Sequence, residues 1–264
     1  MLRCDNNGMT RVALVVWLAF ASAVFAAAAT PDYAREARWA SEVVPQIVAG
    51  DPVWLAPADR PRVLAIFTEP AGVPKGAVIV VHGLGVHPDW NLIGDLRTKL
   101  ADRGYATLAV QMPVLAADAP RDAYRDLFDD AGTRIAAALA WLRAKGFANV
   151  AIVSHSMGAS MTDAFLARGD TTAIVAWAPV GMLVAFTTPP RMPVLDVVAE
   201  RDFPEALAAA KARASALLRD ACSKSVSIAG TDHYMDGATT PLAEAIRGFL
   251  DRVFGGACKG AAPR

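Results

Sequence analysis

The segment Ile152-Val-Ser-His-Ser-Met-Gly-Ala-Ser160 brings Ser156 one residue short of a complete nucleophile-elbow pattern. Such an elbow reads G-x-S-x-G, because small residues permit the sharp strand-to-helix turn that exposes the serine hydroxyl. Gly158 fills the second glycine position, and Ser154 stands in place of the first. A serine hydroxyl is a weak nucleophile until a base lies within hydrogen-bond reach. The same residue at the start of a helix could serve simply as an N-cap. Short S-x-G matches also arise by chance, so the rest of the chain must separate these readings.

A base can be found by elimination among His82, His87, His155 and His233. Where a serine nucleophile is carried between a parallel strand and a helix, the chain order is serine, acid, histidine. Only His233 follows Ser156, in the stretch SIAGTDHYMDGA just past a strand-like run. The acid that would orient its imidazole is best met by Asp202, after the run PVLDVVAE. Glu200 in the same loop and Asp232 beside the histidine are alternatives. Asp196 falls inside that run, among valines and leucine, where an acid calls for a hidden ion partner.

An acyl-transfer oxyanion needs preorganised N–H donors. The amide of Met157, next after the serine, is one candidate, and that of Leu84 in His82-Gly-Leu-Gly85 is the other. A helix beginning at Met157 would also aim free N–H groups at Ser156. The HGLG stretch reads equally as a plain glycine turn, with His82 holding its shape rather than moving protons. His87, Asp89 and Trp90 follow directly, at a pocket rim or in structural roles.

The elements that must position these residues alternate along the chain. Residues 31–48 have helical amphipathic spacing, PVWLAP and RVLAIFTEP suit short opening strands, and GAVIVVHGLG is an apolar run entering a glycine turn. Helical spacing over 91–103 precedes the strand YATLAVQMP, and a proline-bearing loop at 114–121 precedes a helix over about 126–145. NVAIVSHS, AIVAWAP, PVLDVVAE and SVSIAG read as strands, separated or followed by helical stretches 157–168, 204–219 and 241–254. Continuous apolar runs alternating with helices of ten residues or more predict βαβ units, a mostly parallel twisted sheet with helices on both faces. In such sheets ligands bind beyond the carboxyl ends of the strands, and the HGLG turn, Ser156, Asp202 and His233 all fall there.

Of the 264 residues, 54% are apolar and 20% charged, with zero formal net charge. That composition suits a globular core and disfavours nucleic acid as a partner. The histidines lack zinc-ligand spacing, and no P-loop or G-x-G-x-x-G follows a strand, so neither metal nor cofactor is expected. Arg3 and Arg11 precede the apolar run 12–25 and the alanines 26–29, the pattern of a secretory signal peptide covering 1–29, with Met9 as an alternative start. The run falls short of the ~20 residues of a spanning helix, so no stable membrane span is expected after cleavage, an uncleaved anchor being the other reading. Cys4 lies before the run, not where a lipid-attachment cysteine belongs. Residues 30–264 then form one domain, exported to the periplasm or secreted. Its two cysteines, Cys222 and Cys258, suit a disulfide in an oxidising compartment. Nothing in the sequence specifies an oligomeric state.

At this point the chain resembles the α/β-hydrolase superfamily over about residues 53–254. VVHGLGVHPDW, LRTKLADRGYATLAVQMP and TDHYMDG look like an uncharacterised family of exported bacterial proteins, known only as a domain of unknown function. The resemblance implies a serine hydrolase fold with Ser156, Asp202 and His233 as triad, and implies no particular substrate. Only residues 180–192 separate AIVAWAP from PVLDVVAE, where many hydrolases insert a cap, so a short flap and an open site are expected. The leading expectation is an exported hydrolase of carboxylic esters acting through an acyl-enzyme on a small-molecule or acyl-ester substrate. Peptidase or acyltransferase chemistry would use the same groups. The superfamily also contains members without catalysis, so a binding or envelope-assembly protein is the alternative of a different class.

Overall fold

The computed structural model describes residues 29–258 apart from 170 and 218. The signal segment, its arginines and Cys4 lie outside the described residues. Eight strands form one sheet: β1 (Asp51–Leu55), β2 (Val63–Thr68), β3 (Gly76–Val81), β4 (Tyr105–Val110), β5 (Val150–His155), β6 (Ile174–Val180), β7 (Leu195–Arg201) and β8 (Lys224–Asp232). Their spatial order is β1-β2-β4-β3-β5-β6-β7-β8. Only β2 runs against the rest, pairing antiparallel with β1 and β4, while every later pair is parallel.

Successive residues of a strand point to opposite faces, and β3 shows what that requires here. Ala77, Ile79 and Val81 enter one core, Val78 and Val80 the other, and all five are fully buried. The first core is closed by α3 (Phe128–Ala144) and α4 (Met157–Ala167), through Ile135, Ala138, Leu142 and Met161. The second is closed by α2 (Asn91–Asp102) and α6 (Thr239–Phe254), through Leu92, Leu96, Leu100, Leu242, Ile246 and Leu250. A sheet covered on both faces explains why these strands read as unbroken apolar runs.

The opening helix is shorter than its sequence pattern predicts. α1 (Tyr33–Val43) starts at Asp32, whose side chain caps the Arg35 N–H, and gives way to a 3₁₀ turn at Val44–Gln46. Pro45 supplies no N–H for an α-helical hydrogen bond and tightens the chain there. A second 3₁₀ segment, Arg121–Leu127, leads into α3. α5 (Pro204–Ala216) follows β7 and likewise ends earlier than the helical spacing suggests.

Between β6 and β7 residues 181–194 form an extended flap with no helix, and no cap domain interrupts the described chain. The flap is tied down from beneath. Arg213 of α5 donates through Nη1 to the carbonyls of Met182 (2.7 Å) and Val184 (2.8 Å), and through Nε to Asp196 (2.9 Å). Asp163 of α4 accepts from the Thr187 N–H (2.9 Å) and hydroxyl (2.5 Å). The acid inside β7 therefore has its hidden partner, with both side chains of the Asp196–Arg213 pair fully buried. Cys222 and Cys258 form a disulfide with a Cα–Cα distance of 5.5 Å, joining the segment after α6 to the approach to β8. Among the described residues no helix is long and apolar enough to cross a membrane.

Candidate functional site

Ser156 stands at the junction of β5 and α4 with φ +54° and ψ −121°. A positive φ is strained in any residue with a β-carbon; the Ser156 N–H, donating to the Val180 carbonyl at 2.8 Å, helps hold it. The glycine two residues on is forced by contact: a β-carbon on Gly158 would lie 2.2 Å from the His82 carbonyl oxygen. Helix α4 can therefore start where it does only if that residue has no side chain. The position two residues before Ser156 is under no such pressure. Ser154 places its hydroxyl where the Trp177 indole N–H of β6 donates to it at 2.8 Å, both residues being 1% exposed.

His233, just past β8, bridges two other strand ends. Its Nδ1 lies 2.6 Å from Asp202 Oδ1, and its Nε2 2.8 Å from Ser156 Oγ. Asp202 follows β7 and also accepts the N–H groups of Ala199 (3.1 Å) and Phe203 (2.8 Å). Burial pushes the Asp202 carboxyl upward, but the hydrogen bond from His233 and those from the two amides outweigh it and hold the group below the usual carboxylate range. An ionised Asp202 fixes the tautomer: Nδ1–H donates to the carboxylate, leaving Nε2 to accept the serine O–H. All three residues are buried. The competing acids go elsewhere, Glu200 to the Gly230 N–H (2.7 Å) and Asp232 to the Tyr234 N–H (3.0 Å).

Three neighbours hold the imidazole. The Phe203 ring stacks on it with centroids 4.2 Å apart and planes at 24°. His155, between the two serines of the elbow, donates through Nε2 to the His233 carbonyl at 2.9 Å. Burial, followed by the nearness of His233, lowers the His155 pKa to about 4, so this histidine is a neutral strut. Gly181, at φ +60°, approaches so closely that a β-carbon there would lie 3.0 Å from His233 Cε1. The sequence pattern assigns none of the three this role, and His155 figures in it only as one of four candidate bases. Phe203, adjacent to the acid, and Gly181, at a strand end, carried a signal in their positions alone.

The HGLG turn faces the serine. A β-carbon on Gly83 would come within 3.2 Å of Ser156 Cβ, so the turn packs against the elbow itself. His82 Nε2 accepts the Met112 N–H (2.8 Å), which leaves its Nδ1–H to donate to the Gly83 carbonyl (2.8 Å). Burial lowers its pKa to about 3, so His82 braces the turn uncharged. Leu84 and Met157 both border the cleft over Ser156. Neither backbone N–H donates to a backbone or side-chain acceptor among the described residues. Of His87, Asp89 and Trp90, only Trp90 lines this cleft. Asp89 instead pairs with Arg97 (2.5 Å), and His87 lies against Trp39, ring centroids 5.7 Å apart.

The cleft over Ser156 has a volume of about 370 Å³. It continues past Met157 and Leu183 into a second hollow of about 440 Å³, bordered by Arg121, Arg125, Phe128, Val184 and Glu205. A larger cavity of about 530 Å³ lies between α1 and the β1–β2 edge and includes none of Ser156, Asp202 or His233. Size alone does not mark a site; convergent polar groups do, and they converge at the smaller cleft.

This sheet order, a single reversed strand and a strained serine between β5 and α4 define the α/β-hydrolase fold, without a large cap domain. Residues 26–131 match the model of a family described as protein of unknown function (DUF3530). No curated protein matches the chain. Among solved structures it is similar to an α/β serine hydrolase homologue from Coxiella burnetii, at 16% identity and a TM-score of 0.63, covering 77% of this chain and 99% of that one. Est1E from Butyrivibrio proteoclasticus gives 17% identity and a TM-score of 0.64, covering 78% and 100%. An α/β serine hydrolase without lid from Xanthomonas campestris gives 16% and 0.61, covering 82% and 98%. At these identities the likeness is one of fold.

Proposed function

We propose that the protein is an exported serine hydrolase that cleaves carboxylic esters through an acyl-enzyme. The observation that carries this reading is the position of His233, within hydrogen-bond distance of both Ser156 Oγ and Asp202 Oδ1. Ser156 Oγ attacks the ester carbonyl while its proton passes to His233 Nε2. The carbonyl oxygen, now negative, is held by the N–H groups of Leu84 and Met157. As the C–O bond breaks, His233 returns the proton to the leaving alcohol and the acyl group stays on Ser156. Water then enters through the open cleft and attacks the acyl carbonyl while giving a proton to His233, which returns that proton to Ser156 Oγ as the acyl–serine bond breaks and the acid leaves. Asp202 stays ionised throughout and stabilises the transient imidazolium.

Treating the full-length chain with a fluorophosphonate probe tests the nucleophile. Wild type should label and Ser156→Ala should not. A wild type that stays unlabelled, or a Ser156→Ala variant that labels equally, overturns the reading.

Export is part of the same proposal: residues 1–29 are a signal peptide, and residues 30–264 are one domain delivered to the periplasm. The Cys222–Cys258 disulfide supports this, since such bonds persist in oxidising compartments. Sequencing the N-terminus of protein from the periplasmic fraction should find a start just past the alanine stretch. Recovery of the chain in the cytosol with its first residues intact would refute export.

A further inference from the structure

The two sides of the cleft over Ser156 differ in chemistry. Among the described residues seven large apolar side chains are exposed, and four of them, Leu84, Val184, Phe203 and Tyr234, border this cleft and its extension. Concentrated apolar exposure of that kind marks a binding surface rather than chance. Beside His233 the cleft wall carries three aromatic rings. Phe203 (38% exposed) lies on the imidazole, Tyr234 (45% exposed) stands at 90° to Phe203, and Trp90 meets Tyr234 at 68° with centroids 6.4 Å apart. The three rings make an open corner, not a closed stack. Arg125, Asp122 and Glu205 lie in the far hollow beyond Met157 and Leu183, and Arg121 stands where the hollow meets the cleft.

Resting on the ester-hydrolase reading, we propose that the corner formed by Trp90, Phe203 and Tyr234 is the leaving-group subsite and selects esters of aromatic alcohols. The direction follows from proton transfer. The atom that protonates the departing oxygen is His233 Nε2, so the alcohol must leave on the side of that imidazole, where these rings stand. The acyl group, held on Ser156, extends the other way, past Met157 toward Leu183 and Val184. An aromatic ring in the corner completes offset and edge-to-face contacts with three rings; an alkyl group of the same size gains burial without them.

The test compares benzyl acetate with cyclohexylmethyl acetate, which share an acyl group and release primary alcohols of comparable size and acidity. For the full-length chain kcat/KM should favour the benzyl ester by about three- to tenfold, the gain aromatic pairs give beyond area burial. In Tyr234→Leu and Trp90→Leu, which keep an apolar wall, that preference should shrink to within about twofold. Equal rates for the two esters in wild type, or a benzyl preference that survives in both variants, overturns the subsite. A chain that labels with fluorophosphonate but hydrolyses neither ester also overturns it, leaving the nucleophile in place. A chain that neither labels nor hydrolyses overturns the ester-hydrolase reading as well.

Discussion

The Trp177 indole on β6 donates to the Ser154 hydroxyl on β5 at 2.8 Å, two residues ahead of Ser156. Both groups are buried, and each is the other's answer to desolvation. A residue that looks like a defect in the elbow pattern is therefore a partner that the neighbouring strand requires. The turn itself tolerates a β-carbon at Ser154; the geometric demand for glycine falls at Gly158.

Replacing Ser154 by Ala, or by the glycine of the usual motif, should therefore destabilise the fold. Either change leaves the Trp177 N–H buried without an acceptor, worth about 1–3 kcal/mol. Urea unfolding should show a lower midpoint for both variants, while fluorophosphonate labelling of Ser156 in the folded fraction persists. A midpoint equal to that of wild type would mean the hydrogen bond contributes nothing.

Gly158→Ala should act differently. Its β-carbon would meet the His82 backbone at 2.2 Å, and backbone cannot swing aside as a long side chain can. Helix α4 must shift away from β3, carrying Met157 and Ser156 with it. Overpacking of this kind costs about 1–3 kcal/mol, and a displacement near 1 Å at the reacting atoms lowers kcat/KM by about a hundredfold. Ester turnover by soluble Gly158→Ala protein at the wild-type rate would contradict the contact.

Much of this was legible in the residues. Apolar runs alternating with helical spacing define the sheet, because a strand buried on both faces has no polar face to show. Chain order alone singles out His233, and strand-end position narrows the acid to Asp202, Glu200 and Asp232, which only the contacts of each carboxylate separate. What stayed hidden depends on contacts between distant segments. No local pattern says that Asp196 in β7 is neutralised by Arg213 in α5, or that Phe203 stacks on His233. The shortening of the opening helix had a visible cause in Pro45, but the apolar spacing continues past it and masks the break.

His155 links stability to pH. Its pKa falls from 6.5 to about 4, chiefly because burial disfavours the imidazolium and then because His233 lies beside it. Between those two values the unfolded chain binds a proton that the folded chain refuses. The stability is thus fully present above pH 6.5 and is lost as pH falls toward about 4. Where only the unfolded form is protonated, the slope from this group is about 1.4 kcal/mol per pH unit. His155→Gln keeps an N–H for the His233 carbonyl but cannot titrate. Its unfolding free energy, measured by denaturant across this window, should depend on pH less steeply by about that amount. A slope matching wild type would show that His155 is already protonated in the folded protein.

The Arg213 fork performs two tasks that substitution can separate. It neutralises Asp196 inside the sheet, and it holds the carbonyls of Met182 and Val184, which flank Leu183 at the cleft. Arg213→Met leaves Asp196 as a buried charge without its partner, a loss of about 3–5 kcal/mol. Pairing that change with Asp196→Leu removes the orphaned charge, and replacing both members of a buried pair by apolar groups is often neutral. The double variant should therefore recover most of the stability in urea unfolding. It cannot recover the flap, because the two carbonyls have still lost their donor. Its KM for an ester should rise while kcat changes little, and limited proteolysis should cut within residues 181–194 sooner than in wild type. If the double variant regains both stability and wild-type KM, Arg213 serves the core alone and the flap is held by Asp163 and Thr187.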